Sequence, residues 1–214
     1  MRNYIINGGF DIWPTRSGAA TDGVAAWAAS RWLVGPGYGG SVNWSIMDFD
    51  ADQTIPGNPR HFMRLEWTVA PTQGEKPGSG RFTFLENHGL RDARQLHGCW
   101  VDLTWWLRVA QGTIAVIPVA WSNYTNGDYA LCSGEAFPVR SERGWIPLTQ
   151  AIYIPPVPAG KTISTDSYLG FGLDFLALYG PKLDVACVTA YRKEVALIDP
   201  QIERVRAAGQ FWNQ

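Results

Sequence analysis

Ser41-Val42-Asn43-Trp44-Ser45-Ile46 alternates strictly, with Val42, Trp44 and Ile46 on one face and polar side chains on the other. A period of two marks a strand half-buried on a sheet, because successive side chains leave the pleat on opposite sides. Phe62-Met63-Arg64-Leu65-Glu66-Trp67-Thr68-Val69 reads the same way. Upstream, Ser30-Arg31-Trp32-Leu33-Val34 runs into the turn-rich Gly35-Pro36-Gly37-Tyr38-Gly39-Gly40. Downstream, strands are expected at 81–85, 100–109, 113–120, 146–154, 168–178 and 183–192. Short alternating runs separated by turn signals predict an all-β fold, an antiparallel two-sheet β-sandwich of the jelly-roll type. No helical period lies between successive strands, which argues against βαβ winding.

The sandwich is expected to occupy residues 1–198. A short C-terminal helix follows over 199–214, packed on the sandwich or at a subunit interface: Asp199 can cap it, Pro200 suits its first position, and Ile202, Val205 and Trp212 recur at roughly helical spacing. Residues 90–96 read as a short helical turn, and 72–80 and 155–160 as exposed loops.

The 23 Gly and 14 Pro are spread over all 214 residues, which excludes a long helical bundle. A net charge of −1 without a basic block offers no footprint for nucleic acid. No apolar run reaches the length of a membrane span. The start, Met1-Arg2-Asn3-Tyr4-Ile5-Ile6-Asn7-Gly8, has no apolar core of a signal peptide, so synthesis in a cytoplasm is expected. Cys99, Cys132 and Cys187 are scattered and odd in number, as expected of reduced, buried, non-catalytic thiols.

Few motifs point to chemistry. Gly35–Gly40 has the spacing of a dinucleotide loop, but a strand follows where a helix N-terminus is needed. Asp48-Phe49-Asp50-Ala51-Asp52 opens like a calcium loop, yet Gln53 and Pro59 stand where Gly and a bidentate Glu belong. His61, His88 and His97 lack partners at zinc spacing. A glycoside hydrolase would need two carboxylates brought together in space, with Glu66, Glu86, Glu135 and Asp174 as candidates. The unusual feature is eleven Trp. On the 100–109 strand, Trp100 and Trp106 share one face and Trp105 takes the other, so one face is core and the other an interface or ligand platform. The loop aromatics Tyr38, Tyr124 and Tyr129 are the candidates for stacking on sugars, and Trp105, Phe211 and Trp212 for subunit contacts.

Four stretches carry a resemblance. Asn7-Gly8-Gly9-Phe10-Asp11-Ile12-Trp13-Pro14-Thr15-Arg16, Ala28-Ala29-Ser30-Arg31-Trp32, the run from Leu96 to Trp106, and Glu203 to Trp212 resemble, in order, segments of carbohydrate-binding-module-like jelly rolls in bacteriophage tail-fibre and other virion proteins. Ser30 stands where that family has an acid. The resemblance implies a jelly roll located in the virion and a homo-oligomer, with trimeric symmetry. It also implies a structural Ca2+ between an N-terminal acid and a late strand, at Asp11 and Asp184. The expected function is a non-enzymatic tail-fibre or adhesion module that contacts other virion proteins and host-surface glycan. The alternatives are a free-standing carbohydrate-binding module and a glycan hydrolase.

Overall fold

A computed structural model describes residues 3–5, 7–21, 24–36, 40–50, 52–53, 55–69, 79–86, 95–111, 113–124, 129–164, 167–176 and 182–193, of which 79–86, Tyr129, Glu142 and Leu176 are described by backbone alone. Its two antiparallel sheets face each other. The first runs, edge to edge, β1 (Ser17–Thr21), β4 (Ser41–Asp48), β5 (His61–Val69), β13 (Lys182–Arg192), β7 (Cys99–Gln111) and β11 (Ile146–Ile154). The second runs β10 (Phe137–Arg140), β8 (Thr113–Asn123), β12 (Tyr168–Leu176), β6 (Ser79–Glu86), β3 (Trp32–Gly35) and β2 (Ala26–Trp27), with β9 (Tyr129–Ser133) sharing the β8 edge with β10. From β5 onward the chain crosses back and forth between the sheets, with β8, β9 and β10 together in the second, which is jelly-roll winding.

Every expected strand is present. Four more escaped the alternation test: β1 is Ser-Gly-Ala-Ala-Thr, β2 has two residues, β9 lies beside the Tyr124 loop, and β10 contains Pro138. The 155–160 segment is irregular, as expected; of the 90–96 turn only Gln95 and Leu96 are described, and they are helical. The expected helix over 199–214, with Phe211 and Trp212, lies outside the described residues.

The core fills the space between the sheets. Val42 and Trp44 of β4 point inward as the alternation requires, opposite Trp67 and Leu65 of β5. On β7 the inward set is Val101, Leu103, Trp105, Leu107 and Val109, each 1 % exposed or less. This corrects the expectation for Trp105: it is a core residue, edge-on to Trp32 at 5.7 Å, and makes no subunit contact. Its phase is that of the four aliphatic residues; Trp100 and Trp106 are in phase with Asp102, Thr104 and Arg108 on the outer face.

The N-terminal motif forms a plug. β13 pairs with β5 only over residues 182–185. Past that point the opening segment takes over: Asn3 bridges Tyr191, the Tyr4 amide donates to Ala190 O, and the Val188 amide donates to Gly8 O. A bulge between Ala186 and Thr189 receives Gly8 so closely that a Cβ there would lie 2.0 Å from Val188 O. Asn7 sits at φ 58°, a region Asn tolerates better than most residues. Its side chain closes the turn, accepting from the amides of Asp11 and Ile12 and donating to Ile12 O. Phe10 is fully buried against Trp32, whose indole N–H donates to Asn7 O at 3.1 Å. The Asn-Gly-x-Phe-Asp-x-Trp stretch is thereby explained as architecture.

Candidate functional site

The outer face of the first sheet divides into a covered half and an open half. In the covered half Asp184 of β13 lies directly opposite Arg64 on β5 and Arg108 on β7. Arg64 grips the carboxylate with Nε and Nη2 at 2.7 and 2.9 Å; Arg108 does so with Nη2 and Nε at 2.7 and 2.9 Å and donates from Nη1 to Gln53 Oε1. Hydrogen bonding to Asp184 is the largest cause raising the Arg64 pKa above its ordinary value. The Arg108 guanidinium also lies 5.1 Å from the Phe62 ring centroid and 4.8 Å from that of Trp145. Ile55, Phe62 and Ala186, with Met47, Phe49, Trp106, Trp145 and Cys187 around them, form a small second core. This corrects the calcium expectation. Asp184 is wholly buried with its oxygens taken by two guanidiniums, which would repel a dication, while Asp11 is exposed and held through its backbone by Asn7. The residues do not fit the ion.

The open half is different. Cross-strand neighbours Trp100 and Tyr153 are 43 % and 40 % exposed, with ring centroids 5.4 Å apart and planes tilted by 48°. Thr104 and Thr149, also directly opposite each other, share a 2.9 Å hydroxyl hydrogen bond. Asp102 lies between them on β7, with Lys193 Nζ at 3.7 Å. β11 is the edge of this sheet, and beside it runs a groove of about 770 Å³. Its near wall is Pro147–Tyr153 of β11 with Trp100, and its far wall is Cys132–Glu135 and Phe137 of the second sheet.

The far wall is placed by a proline. In an antiparallel ladder a residue's N–H and C=O point to the same neighbour. Pro118 of β8 accepts from the Gly134 amide at 2.8 Å, so its nitrogen, which carries no hydrogen, faces the same side. The ladder on that edge is interrupted here: β9 pairs from Val119 upward and β10 from Val116 downward. The intervening Gly134-Glu135 segment swings towards β11, where Gln150 accepts from the Glu135 amide at 2.8 Å and donates to Glu135 O at 2.9 Å. A Cβ on Gly134 would lie 2.0 Å from Gln150 Oε1, so any other residue there would push the Gln150 amide out of this position.

Of the sugar-stacking candidates from sequence, Tyr124 alone has a described side chain, and it does not line this groove. Tyr124 is only 3 % exposed and packs against the His97 ring; burial pushes its hydroxyl pKa up. It is corrected to a buried residue, because it closes the end of β8. Tyr38 and the Tyr129 side chain lie outside the described residues. Trp100 and Tyr153 were missed as a pair, although their outward phase was legible on their own strands. The candidate carboxylates whose side chains are described are dispersed. Glu66 pairs with Lys182 at 2.9 Å on the outer face of the first sheet, Asp174 is on the outer face of the second, and Glu135 is at the groove; the Glu86 side chain is not described. The thiols of Cys132 and Cys187 are both pushed up by burial, which disfavours reactive thiolate.

No family model matches the sequence, and no curated protein matches it. Among solved structures, the chain is similar to the enzymatically active domain of tailspike protein 4 from bacteriophage CBA120, at 10% identity and a TM-score of 0.48 over 89% of this chain. It spans 21% of that protein's length. It is also similar to the family 11 carbohydrate-binding module of a Clostridium thermocellum cellulase (14% identity, 76% of this chain, 88% of the module, TM-score 0.47). A third is the CBM22-1 xylan-binding domain from Paenibacillus barcinonensis Xyn10C (9% identity, 88% and 92% covered, TM-score 0.48). These values carry no argument about ligand or activity.

Proposed function

We propose that this chain is a non-catalytic glycan-contact module. The observation that carries this reading is the exposed Trp100–Tyr153 pair on a rigid sheet, beside a groove edged with hydroxyls and amides. Pyranose rings have an apolar face that aromatic rings can cover and a rim of hydroxyls that needs hydrogen-bond partners; the surface offers both. Strand-borne aromatics lose little freedom on binding, since the sheet already holds them. Trp100→Ala and Tyr153→Ala are each expected to weaken glycan binding by ~2 kcal/mol, the level of an interface hot spot, or about thirtyfold in Kd. Both residues are on the surface, so unfolding should shift by no more than about 0.5 kcal/mol. Calorimetric titration of a glycan-array hit checks this. Unchanged affinity in both variants overturns the site, and an array with no hit overturns the reading.

Within this reading the chain works in a phage virion, as a tail-fibre or adhesion module assembled into a homotrimer. The support for the virion and for threefold symmetry is the resemblance of the four sequence stretches. Support for assembly comes from exposed Ile12, Val24 and Trp27 near β2, at 59, 69 and 55 %, together with a net charge of −1 that offers little repulsion. Light scattering after size exclusion is expected to give three times the 23.7 kDa chain mass. A single-chain mass at micromolar concentration refutes assembly.

A further inference from the structure

We infer that the groove along β11 selects an uncharged, extended oligosaccharide and that Glu135 is the residue that turns away anionic chains. The inference rests on the glycan reading above and adds the chemical class of the ligand. Shape comes first. Pro147 to Tyr153 line the groove continuously, and six strand steps span about 20 Å, the reach of several linked sugars rather than one. The walls belong to the edges of two sheets, and Pro147, Thr149, Ala151, Tyr153 and Glu135 are all exposed, so the site is an open trough along which a chain can lie. The tilted Trp100–Tyr153 pair is at the Tyr153 end, where two successive rings that twist relative to each other would meet two successive aromatic planes.

Charge decides the class. Of the thirteen lining residues Glu135 alone is an acid or a base that carries charge at neutral pH; the half-buried Cys132 thiol is pushed up by burial. Among the described residues no Lys or Arg lines the groove, so none of them offers it the charge-assisted hydrogen bonds by which carboxylate, sulfate or phosphate groups are recognised. The nearest cation described beside the aromatic pair, Lys193, lies 3.7 Å from Asp102 and is balanced by it. The Glu135 backbone is held in place, since Gln150 bonds both its N–H and its C=O, so the residue is anchored at the groove by its main chain. A uronate passing it meets a carboxylate of like charge tethered at the groove. Substituting its side chain leaves the backbone bridge intact.

The experiment titrates wild type and Glu135→Gln with matched tetrasaccharides at low salt: cellotetraose, xylotetraose and tetra-N-acetylchitotetraose as uncharged probes, tetragalacturonate as the anionic one. Wild type is expected to bind its best uncharged probe at least tenfold more tightly than tetragalacturonate. In Glu135→Gln that ratio should fall below threefold. Wild type preferring tetragalacturonate overturns the inference and leaves the glycan reading standing. A ratio unchanged in Glu135→Gln overturns the role of Glu135. Binding of no probe, with no array hit either, overturns the glycan reading and the inference with it.

Discussion

Asp184→Ala is expected to cost about 3–5 kcal/mol of folding stability, the range for removing one partner from a buried ion pair. The reason lies in the register. Asp184 is on the central strand with an arginine directly opposite on each neighbouring strand, so three charges form one ladder across the sheet. The carboxylate is fully buried, while the Arg64 and Arg108 side chains are 25 and 18 % exposed. Removing it leaves two guanidiniums flanking the same position of β13, each short of two hydrogen bonds and each repelling the other. Arg108 is further confined between the Phe62 and Trp145 rings and by Gln53, so it cannot easily turn to solvent. Asp184→Asn should fall between wild type and Ala, because it keeps an acceptor oxygen. Urea unfolding followed by tryptophan fluorescence measures the loss. A cost below about 1 kcal/mol, the level of an exposed pair, would show that the triad contributes no more than a surface salt bridge.

Trp32→Ala is expected to cost a similar ~3–5 kcal/mol, the usual range for truncating a buried aromatic residue. Trp32 has no exposed surface and lies between Phe10, at 5.1 Å, and Trp105, at 5.7 Å. Two losses combine: a cavity between the sheets, and a stranded Asn7 carbonyl that had accepted the indole N–H. The second loss matters because Asn7 shapes the turn that seats Phe10. Truncation should therefore loosen the whole N-terminal plug, and limited proteolysis should cut within the first fifteen residues of the variant. Trp32→Phe separates the two terms, since it keeps most of the packing and drops the hydrogen bond, worth about 1 kcal/mol. Equal stability of Trp32→Ala and wild type in urea would refute the plug as a stabilising element.

By itself the sequence determined the all-β class and the approximate bounds of nine of the thirteen described strands. Alternation is a local property: a residue's neighbours two places away share its face whatever the rest of the chain does. The same local logic held Val42 and Trp44 to the core and put Trp100 and Trp106 on one face of β7. Which face of β7 is the inner one was also written there, in the phase shared by Trp105 with Val101, Leu103, Leu107 and Val109. Other features were decided only by tertiary structure, because they depend on which strands become neighbours and at what register. Asp184 reads as a lone acid until pairing sets Arg64 and Arg108 opposite it. Tyr124 reads as a loop aromatic until His97 packs over it. Trp100 and Tyr153 are 53 positions apart, and only the β7–β11 register makes them a platform. Pro118, Gly134 and Gln150 look unrelated in the chain, yet one interrupted ladder, one missing Cβ and one amide side chain together build the groove. Periodicity is carried by the backbone of each strand, whereas a binding surface is made between strands, and long-range pairing alone fixes what meets there.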